Sequence, residues 1–523
     1  MARSFKDIQA TTSTDTMKFR FENMLSKVSN MINKNNIYSV WIKLVIGKSS
    51  KYQIVFDTSS TDKDENLVLG LEYEKSGAGT ANEFAFKVAF DLFNYGQETK
   101  KNVEQLDELL YKSMNITEYN EIIDRLYCKF QYGYNVTGDT QIVSPLYEGM
   151  ITEIVPNVSY SNGKTSYTLK GNSFISSIGG SSDYTYSQIG SEDSDEGRWN
   201  GMDLVLWILW YYHGNPATIS QLPQDYSGNV NNQHIDVQNG VNTRLNIDIP
   251  KELMTTASNV YMPTLSKMTP IDYCKEVLNK IVNTSDPRYN GDKVNPDYDI
   301  KEGDFRPYYT LYITDSGGDG VPTVHVTYIS SKDIEDNTKD SINFNFDWFN
   351  RTNSIVVGWQ PNVDVLSYLV VRAQREHDRL LLEKEKEEKL QETNGRIDEA
   401  IKGLEQSKKE QSGLPLIDWQ SGAIAALSGL KKTNETIITN SYDEKIKQLS
   451  NTANMEYYKS VLTLVGIPAD IPIGAVLSIK PRIFESVSRT QGKYYITSSK
   501  DTVNSNGIFL TTIELMRLKN YNE

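Results

Sequence analysis

The sequence predicts an α+β, multidomain chain with two antiparallel β-barrels, an α+β middle domain and a long α-helical hairpin insertion. Three observations carry this. Strand-like runs bounded by turn signals occur in two places far apart, across 36–180 and after 461. A run of mixed charge over 372–409 holds Leu390, Ile397 and Leu404 seven residues apart, as a packed helix requires. A loop rich in Ser, Gly, Asp and Glu at 181–198 separates the first strand-rich region from the middle of the chain.

Phe19, Phe21, Met24, Leu25, Val28, Met31 and Ile32 follow helical spacing, so an N-terminal helical segment fills 1–35 and ends at Asn35-Asn36. Strands are expected at 37–46, 52–56, 67–73 and 83–90. Gly47-Lys-Ser49 is not a phosphate loop, because the first glycine of that motif would fall at Ile42, inside a strand. Val103, Leu106, Leu110, Ile122, Ile123 and Leu126 mark a helical insertion near 100–126. Strands resume at 127–134, 146–155 and 166–170, with Asn162-Gly163 as a hairpin turn, completing a first barrel over 36–180.

The middle domain, 181–340, has an apolar helix at 199–212 and an Asn-, Gln- and Asp-rich irregular stretch at 214–260. A helix at 271–282 begins after Thr269-Pro270, and strands are expected at 308–314 and 323–329. Residues 343–349 and 354–359 read as a hairpin. Beyond Pro361 a helical hairpin spans 366–460, its return stripe running Ile446, Leu449, Ala453, Tyr457, Val461 and Leu464. The second barrel is thus split between 341–365 and 461–523.

At roughly 100–200 residues per domain, 523 residues hold about three or four domains, and 38% hydrophobic residues supply their cores. The 32 tyrosines suit extensive interfaces, since each ring buries area while its hydroxyl keeps a partner. A codon bias toward Asn, Tyr, Lys and Ile accounts for them equally well. A net charge of −14 argues against general nucleic-acid binding and suits a conduit through which DNA slides. Cys128 and Cys274 form no disulfide scaffold and are expected as reduced core residues. Met1-Ala-Arg-Ser-Phe-Lys leads into polar residues and no run of about 18 apolar residues exists, so a soluble chain made without export is expected.

The closing segment is the most informative. Gly466-Ile-Pro-Ala-Asp-Ile-Pro-Ile-Gly474 excludes a helix by its prolines, and Ala475–Ile479 reads as a strand. Gly492–Ser499 is a second strand, with Tyr494, Ile496 and Ser498 on one face and Tyr495 and Thr497 on the other. Asn506-Gly507 supplies a tight turn, and Ile508–Leu515 returns.

This order of pieces resembles the end of phage tail baseplate hub proteins and of the related type VI secretion spike proteins. They carry a Gly-x-Tyr-Tyr-Ile-Thr-Ser strand and a hairpin ending in Thr-Thr-x-Glu-Leu. Tyr147-Glu-Gly-Met-Ile-Thr-Glu-Ile and Tyr167-Thr-Leu-Lys-Gly look like the first tube domain of that family. The resemblance implies a homotrimer in which two tube-domain barrels per chain form a pseudo-sixfold ring, assembled in the host cytoplasm and resident in the virion. Its implied partners are the tail tube protein, a central spike or puncturing protein, baseplate wedge proteins and the tape measure protein. The family's common core has no counterpart for the long helical insertion. No lysozyme, peptidase or spike segment comes after the closing strands, so puncturing would fall to another chain.

Candidate chemistry is sparse, and neither catalytic residues nor cofactors are expected. Asp315, Asp319 and Gly320 fail as a calcium loop, because the required glutamate would fall at Val326. His213, His234, His325 and His377 are scattered and lack zinc spacing. Asp193 and Asp195 lie in a Ser/Gly loop with no aromatic cleft beside them in sequence, and a cell-wall-degrading enzyme is the second alternative. The hairpin tip at 412–430 is apolar, and Leu414, Leu416, Ile417, Trp419, Ile424, Leu427 and Leu430 are its candidate contact residues. It either docks on a partner, plugs a channel or enters the host membrane, or folds back onto the body.

Overall fold

The computed structural model describes residues 14–34, 38–48, 53–58, 67–76, 82–91, 96–114, 125–137, 141–159, 164–172, 184–191, 197–213, 235–236, 244–285, 289–290, 293–294, 308–314, 323–329, 341–347, 354–361, 365–410, 419–456, 459–484, 486–488, 490–504 and 506–520. The turns at Asn162-Gly163 and 315–320, the acids Asp193 and Asp195, and His234 lie outside them. The chain divides into two compact units. One is Met1–Asn295 with Pro307–Pro361 and Lys459–Glu523; the other is Pro296–Arg306 with Asn362–Tyr458.

In the larger unit, helix α1 (Thr14–Asn33) buries Met17, Phe21, Val28 and Met31. Phe19, expected on the same stripe, is 67% exposed. Strands β1 (Tyr38–Ile46), β2 (Ile54–Asp57), β3 (Leu67–Ser76) and β4 (Glu83–Asp91) precede helix α2 (Gln97–Met114). Then come β5 (Tyr127–Val136), β6 (Gln141–Val143), β7 (Tyr147–Ser159) and β8 (Lys164–Asn172). Tyr73, Phe84, Phe86, Phe130 and Tyr147 pack on one another there with centroids 4.8–5.9 Å apart.

Next come β9 (Tyr184–Tyr186), β10 (Trp199–Asn200), α3 (Gly201–His213), β11 (Ile235–Asp236), β12 (Arg244–Asp248), α4 (Lys251–Thr256), β13 (Asn259–Val260), β14 (Leu265–Met268), α5 (Pro270–Lys280), β15 (Tyr289–Asn290), β16 (Lys293–Val294), β17 (Tyr308–Thr314) and β18 (Thr323–Ile329). A separate core draws on β9, α3, α4, β13, α5, β17 and β18. The apolar run of α3 buries Met202, Leu204, Val205, Ile208 and Leu209. Thr269 caps α5 by accepting from the Asp272 N–H at 3.1 Å, and Pro270 fits the first turn because its missing donor is not needed there.

The last elements are β19 (Ile342–Asp347), β20 (Val356–Pro361), α6 (Val365–Glu410), α7 (Trp419–Glu456), β21 (Lys459–Val465), β22 (Val476–Ile483), β23 (Ser486–Val487), β24 (Gly492–Asn504) and β25 (Phe509–Asn520). Helices α6 and α7 belong to the smaller unit. They run antiparallel, with Lys431 Nζ on both Asp398 carboxylate oxygens at 2.8 and 2.9 Å and Asn394 donating to Glu435 at 2.8 Å.

Several expectations need correction. The stretch 214–260, expected to be irregular, carries β12, α4 and β13, and the apolar helix expected from 199 begins at Gly201, after the short strand β10. Residues 459–465 are a strand, not the end of a helical stripe: Ser460, Leu462 and Leu464 alternate into the core. β19 and β20 do not form a hairpin; β19 pairs with β22 and β20 with β21, and these pairs are separated by β24 and β25. Ser498 does not share a face with Tyr494 and Ile496, because a bulge at Thr497 brings Ser499, Asp501 and Val503 inward instead.

The large sheet has 15 strands and curls into a half-barrel, its long path running β2-β1-β5-β7-β8-β4-β3-β24-β25-β21-β20, with β19 and β23 reached through β22. It contains one pattern twice. Take β1, β3, β4, β5, β7 and β8 as strands one to six of a first module, and β19, β20, β21, β22, β24 and β25 as one to six of a second. Across the sheet each module then reads two, three, six, five, four, one. Four of the five pairings match in sense; the fifth is antiparallel in β1–β5 and parallel in β19–β22.

The registers match as well as the order. β7 and β24 both have 13 residues and both are bulged at the same point, Ile151-Thr152 in one and Ile496-Thr497 in the other. Both threonine hydroxyls donate to the carbonyl of the facing strand, Thr152 to Lys170 and Thr497 to Glu514. The second strands of the modules, β3 and β20, share another bulge, within Val68-Leu-Gly70 and Val356-Val-Gly358. Bulges increase local twist and fix register, so two shared bulges mark two copies of one sheet design.

Candidate functional site

The modules meet where β3 pairs antiparallel with the C-terminal half of β24, from Ser76 opposite Ser498 to Gly70 opposite Asn504. β24 divides its edge: residues 492–495 pair with β22, while 498–504 are left for β3. This joint is the best-developed polar site among the described residues.

Lys75 lies on the inward face of β3 with Leu71 and Tyr73, and Asp501 lies on the inward face of β24 with Val503. Their side chains are 7% and 1% exposed and form an ion pair at 3.2 Å. Charges so buried are held only when further hydrogen bonds satisfy them. Lys75 Nζ also donates to the Ala469 carbonyl at 3.1 Å and contacts Tyr147 Oη at 3.4 Å. Asp501 accepts from the Tyr132 hydroxyl through Oδ2 and from the Thr511 hydroxyl at 2.7 Å through Oδ1. Thr511 in turn accepts from the Ile467 N–H at 2.8 Å.

The 466–475 loop completes the lock. Tyr147 donates to Asp470 at 3.0 Å, and Tyr134 donates to the Gly466 carbonyl at 3.0 Å. Burial, with neighbouring carboxylates such as Asp501 and Asp470, pushes the Tyr132 and Tyr147 phenols well above their ordinary value, and burial raises Tyr134 too. They remain neutral donors at any physiological pH. Gly466 is forced by space: a Cβ there would lie 2.0–2.4 Å from the Phe509 ring, which packs on Tyr132 and Tyr134. The contacts of Lys75 with Asp501 and Ala469, of Tyr132 with Asp501, of Tyr147 with Asp470 and of Tyr134 with Gly466 all join first-module residues to second-module residues. Chemically it is a clamp, and a cavity of about 250 Å³ lined by Met17, Arg20, Met24, Lys27, Ala469 and Asp470 opens beside it.

The residues singled out in the sequence lie elsewhere. Leu414, Leu416 and Ile417 fall outside the described residues. Trp419 opens α7, Ile424 and Leu427 are half-buried, and Leu430 is 54% exposed. His325 is a core residue, bonded to Thr314 at 2.8 Å and stacked on Tyr312, whereas His377 is exposed on α6. Among the described residues no group of His, Cys, Asp and Glu suits a metal, and Cys128 and Cys274 are free and buried. No helix of the described residues is long and apolar enough to cross a membrane.

No family model and no curated protein matches the chain. Solved structures do. A tail protein from Neisseria meningitidis MC58 aligns over 92% of this chain and 96% of its own, at 8% identity and a TM-score of 0.38. The 43 kDa tail protein of prophage MuSo2 from Shewanella oneidensis aligns over 92% and 99%, at 8% identity and 0.39. An E. coli component of the type VI secretion system, described as similar to the T4 tail proteins gp27 and gp5, aligns over 88% and 76%, at 8% identity and 0.36. The chain is similar to tail and type VI secretion proteins.

The Lys75–Asp501 clamp is not among the residues singled out in the sequence. The signal was there: both are charged residues on the apolar face of an alternating strand, which is costly unless each has a partner.

Proposed function

We propose that the chain is a structural baseplate hub of a bacteriophage tail, with no catalytic role. Three copies form a pseudo-sixfold ring that joins the tail tube to the central spike. Its two tube domains are 36–180 and 341–365 with 461–523, carried beside a middle domain at 181–340. The tail tube protein packs on one face of the ring and the spike or puncturing protein on the other, with wedge proteins around it and the tape measure protein in the lumen. The helical insertion 366–460 is an arm whose 412–430 tip contacts a partner or plugs the channel.

One observation carries this reading: the same six-strand order and the same two bulges occur twice in one continuous sheet. Two copies of one module in a chain let a threefold assembly present six near-equivalent faces to a sixfold tube. The acidic balance of the chain suits a lumen that passes DNA without holding it.

Sedimentation equilibrium of the purified chain tests the ring. The expected mass is three times the 59.4 kDa of the chain, independent of loading above micromolar concentration. A monomer or a concentration-dependent open series at all loadings contradicts it.

A further inference from the structure

The internal joint uses one edge of each module: β3, strand two of the first, and the C-terminal half of β24, strand five of the second. Each module repeats the other, so each owns a second copy of the edge its partner used. These are β20, strand two of the second module, and the C-terminal half of β7, strand five of the first. Among the described residues β20 pairs only with β21. Among the described residues, β7 pairs with β5 through 147–150 only, and beyond that only with β8. Val155 and Val357 on these two edges are 38% and 37% exposed. Unpaired edges with exposed apolar side chains attract another strand.

We infer that β20 of one copy pairs antiparallel with the C-terminal half of β7 in the next copy, repeating between chains the joint that β3 and β24 make within one. The inference rests on the hub reading and names its interface. The internal register sets Gly70 opposite Asn504, Leu71 opposite Val503, Glu72 opposite Thr502 and Tyr73 opposite Asp501. Through the shared bulges it places Gly358 opposite Ser159, Trp359 opposite Val158, Gln360 opposite Asn157 and Pro361 opposite Pro156. Each copy gives one edge and accepts one, a head-to-tail contact that closes a ring.

The prolines bear on how strong the contact is. The Asn504 N–H bonds to Ile508, toward β25, so by alternation Asp501 and Val503 turn their backbone groups toward β3. The Val465 N–H bonds to Ile355, which turns Gly358 and Gln360 toward β21 and leaves Trp359 and Pro361 facing outward. Pro156, at the place of Asp501, faces outward too. The joint between copies therefore lacks two hydrogen bonds that the internal one has at Tyr73 and Asp501. It is the weaker of the two, and the same prolines keep an unassembled edge from recruiting foreign strands.

Gln360 and Asn157 are both exposed and would face each other as a non-hydrogen-bonded pair, where Cα atoms lie about 4.5 Å apart, within disulfide reach. The test is oxidation of the full-length Asn157→Cys/Gln360→Cys variant, resolved on a non-reducing gel, with native mass measured before oxidation. The native cysteines are buried and do not compete. The expected result is covalent dimer and trimer with no larger band. Each single variant should stay uncrosslinked, and a mixture of the two should stop at dimer. A native trimer that never crosslinks overturns the edge pairing and leaves the hub reading standing. A ladder extending past three keeps the pairing and overturns the threefold ring. A monomer without crosslinks overturns both.

Discussion

Replacing Lys75 by Met is expected to lower the stability of the sheet unit by about 3–5 kcal/mol, because it leaves the Asp501 carboxylate buried without its cation. Met preserves most of the side-chain length, so packing changes little and the loss reports the charge. Asp501 would keep only the Tyr132 and Thr511 hydroxyls. A neutral residue in its place, Asp501→Asn, should cost less on the Lys75→Met background than alone, since the two changes share one interaction. Chemical denaturation of both singles and the double gives the coupling. For contrast, the exposed Lys500–Glu72 pair crosses the same joint at 2.6 Å, and its loss should cost no more than about 1 kcal/mol. Equal effects from the two pairs would contradict a buried clamp.

Stability should also collapse at alkaline pH. Burial raises the phenols of Tyr127, Tyr132, Tyr134 and Tyr147 above their ordinary 10.0, and raises the Cys128 thiol above its ordinary 9.0. A group whose folded pKa is raised stabilises the fold fully below its unfolded pKa. That contribution is lost as pH rises above the unfolded value, because the unfolded chain releases the proton and the folded one does not. The loss therefore begins near pH 9 with the thiol and steepens past pH 10. Each phenol then removes about 1.4 kcal/mol per pH unit. Urea midpoints across that range, tracked together with phenolate absorbance, check it. The decisive sign is a fraction of the phenolate that appears only with unfolding; full phenolate absorbance in the folded protein would contradict the burial of this set.

Much of the strand content could be read from alternation alone, and the two prolines of the 466–475 loop marked its irregular course. The errors have specific physical origins. A stripe from Ile446 at helical spacing happens to reach Val461 and Leu464, but β-branched residues there pair on both sides, with β20 and β25. Adjacent strands usually form hairpins, yet β19 and β20 end at opposite flanks of their module, which nothing local to 343–359 encodes. The bulge at Thr497 reverses facing along a strand whose pattern looked regular. The clamp was readable as charge on an apolar face, but its pairing across 426 positions was not. The repetition itself is carried by register more than by identity: Ile-Thr and Val-x-Gly at the two bulges are too short to stand out before the partners of each strand are known.

Two copies of one sheet module lie side by side in each chain, and the proposed ring requires them to continue from chain to chain around a hole. Cryo-electron microscopy of the purified particle, reconstructed without imposed symmetry, addresses it most directly. The expected map has six lobes around a lumen, alternating between two similar shapes, with strand density running unbroken from each lobe to the next. Three lobes with isolated sheets, or a particle without a lumen, would contradict it.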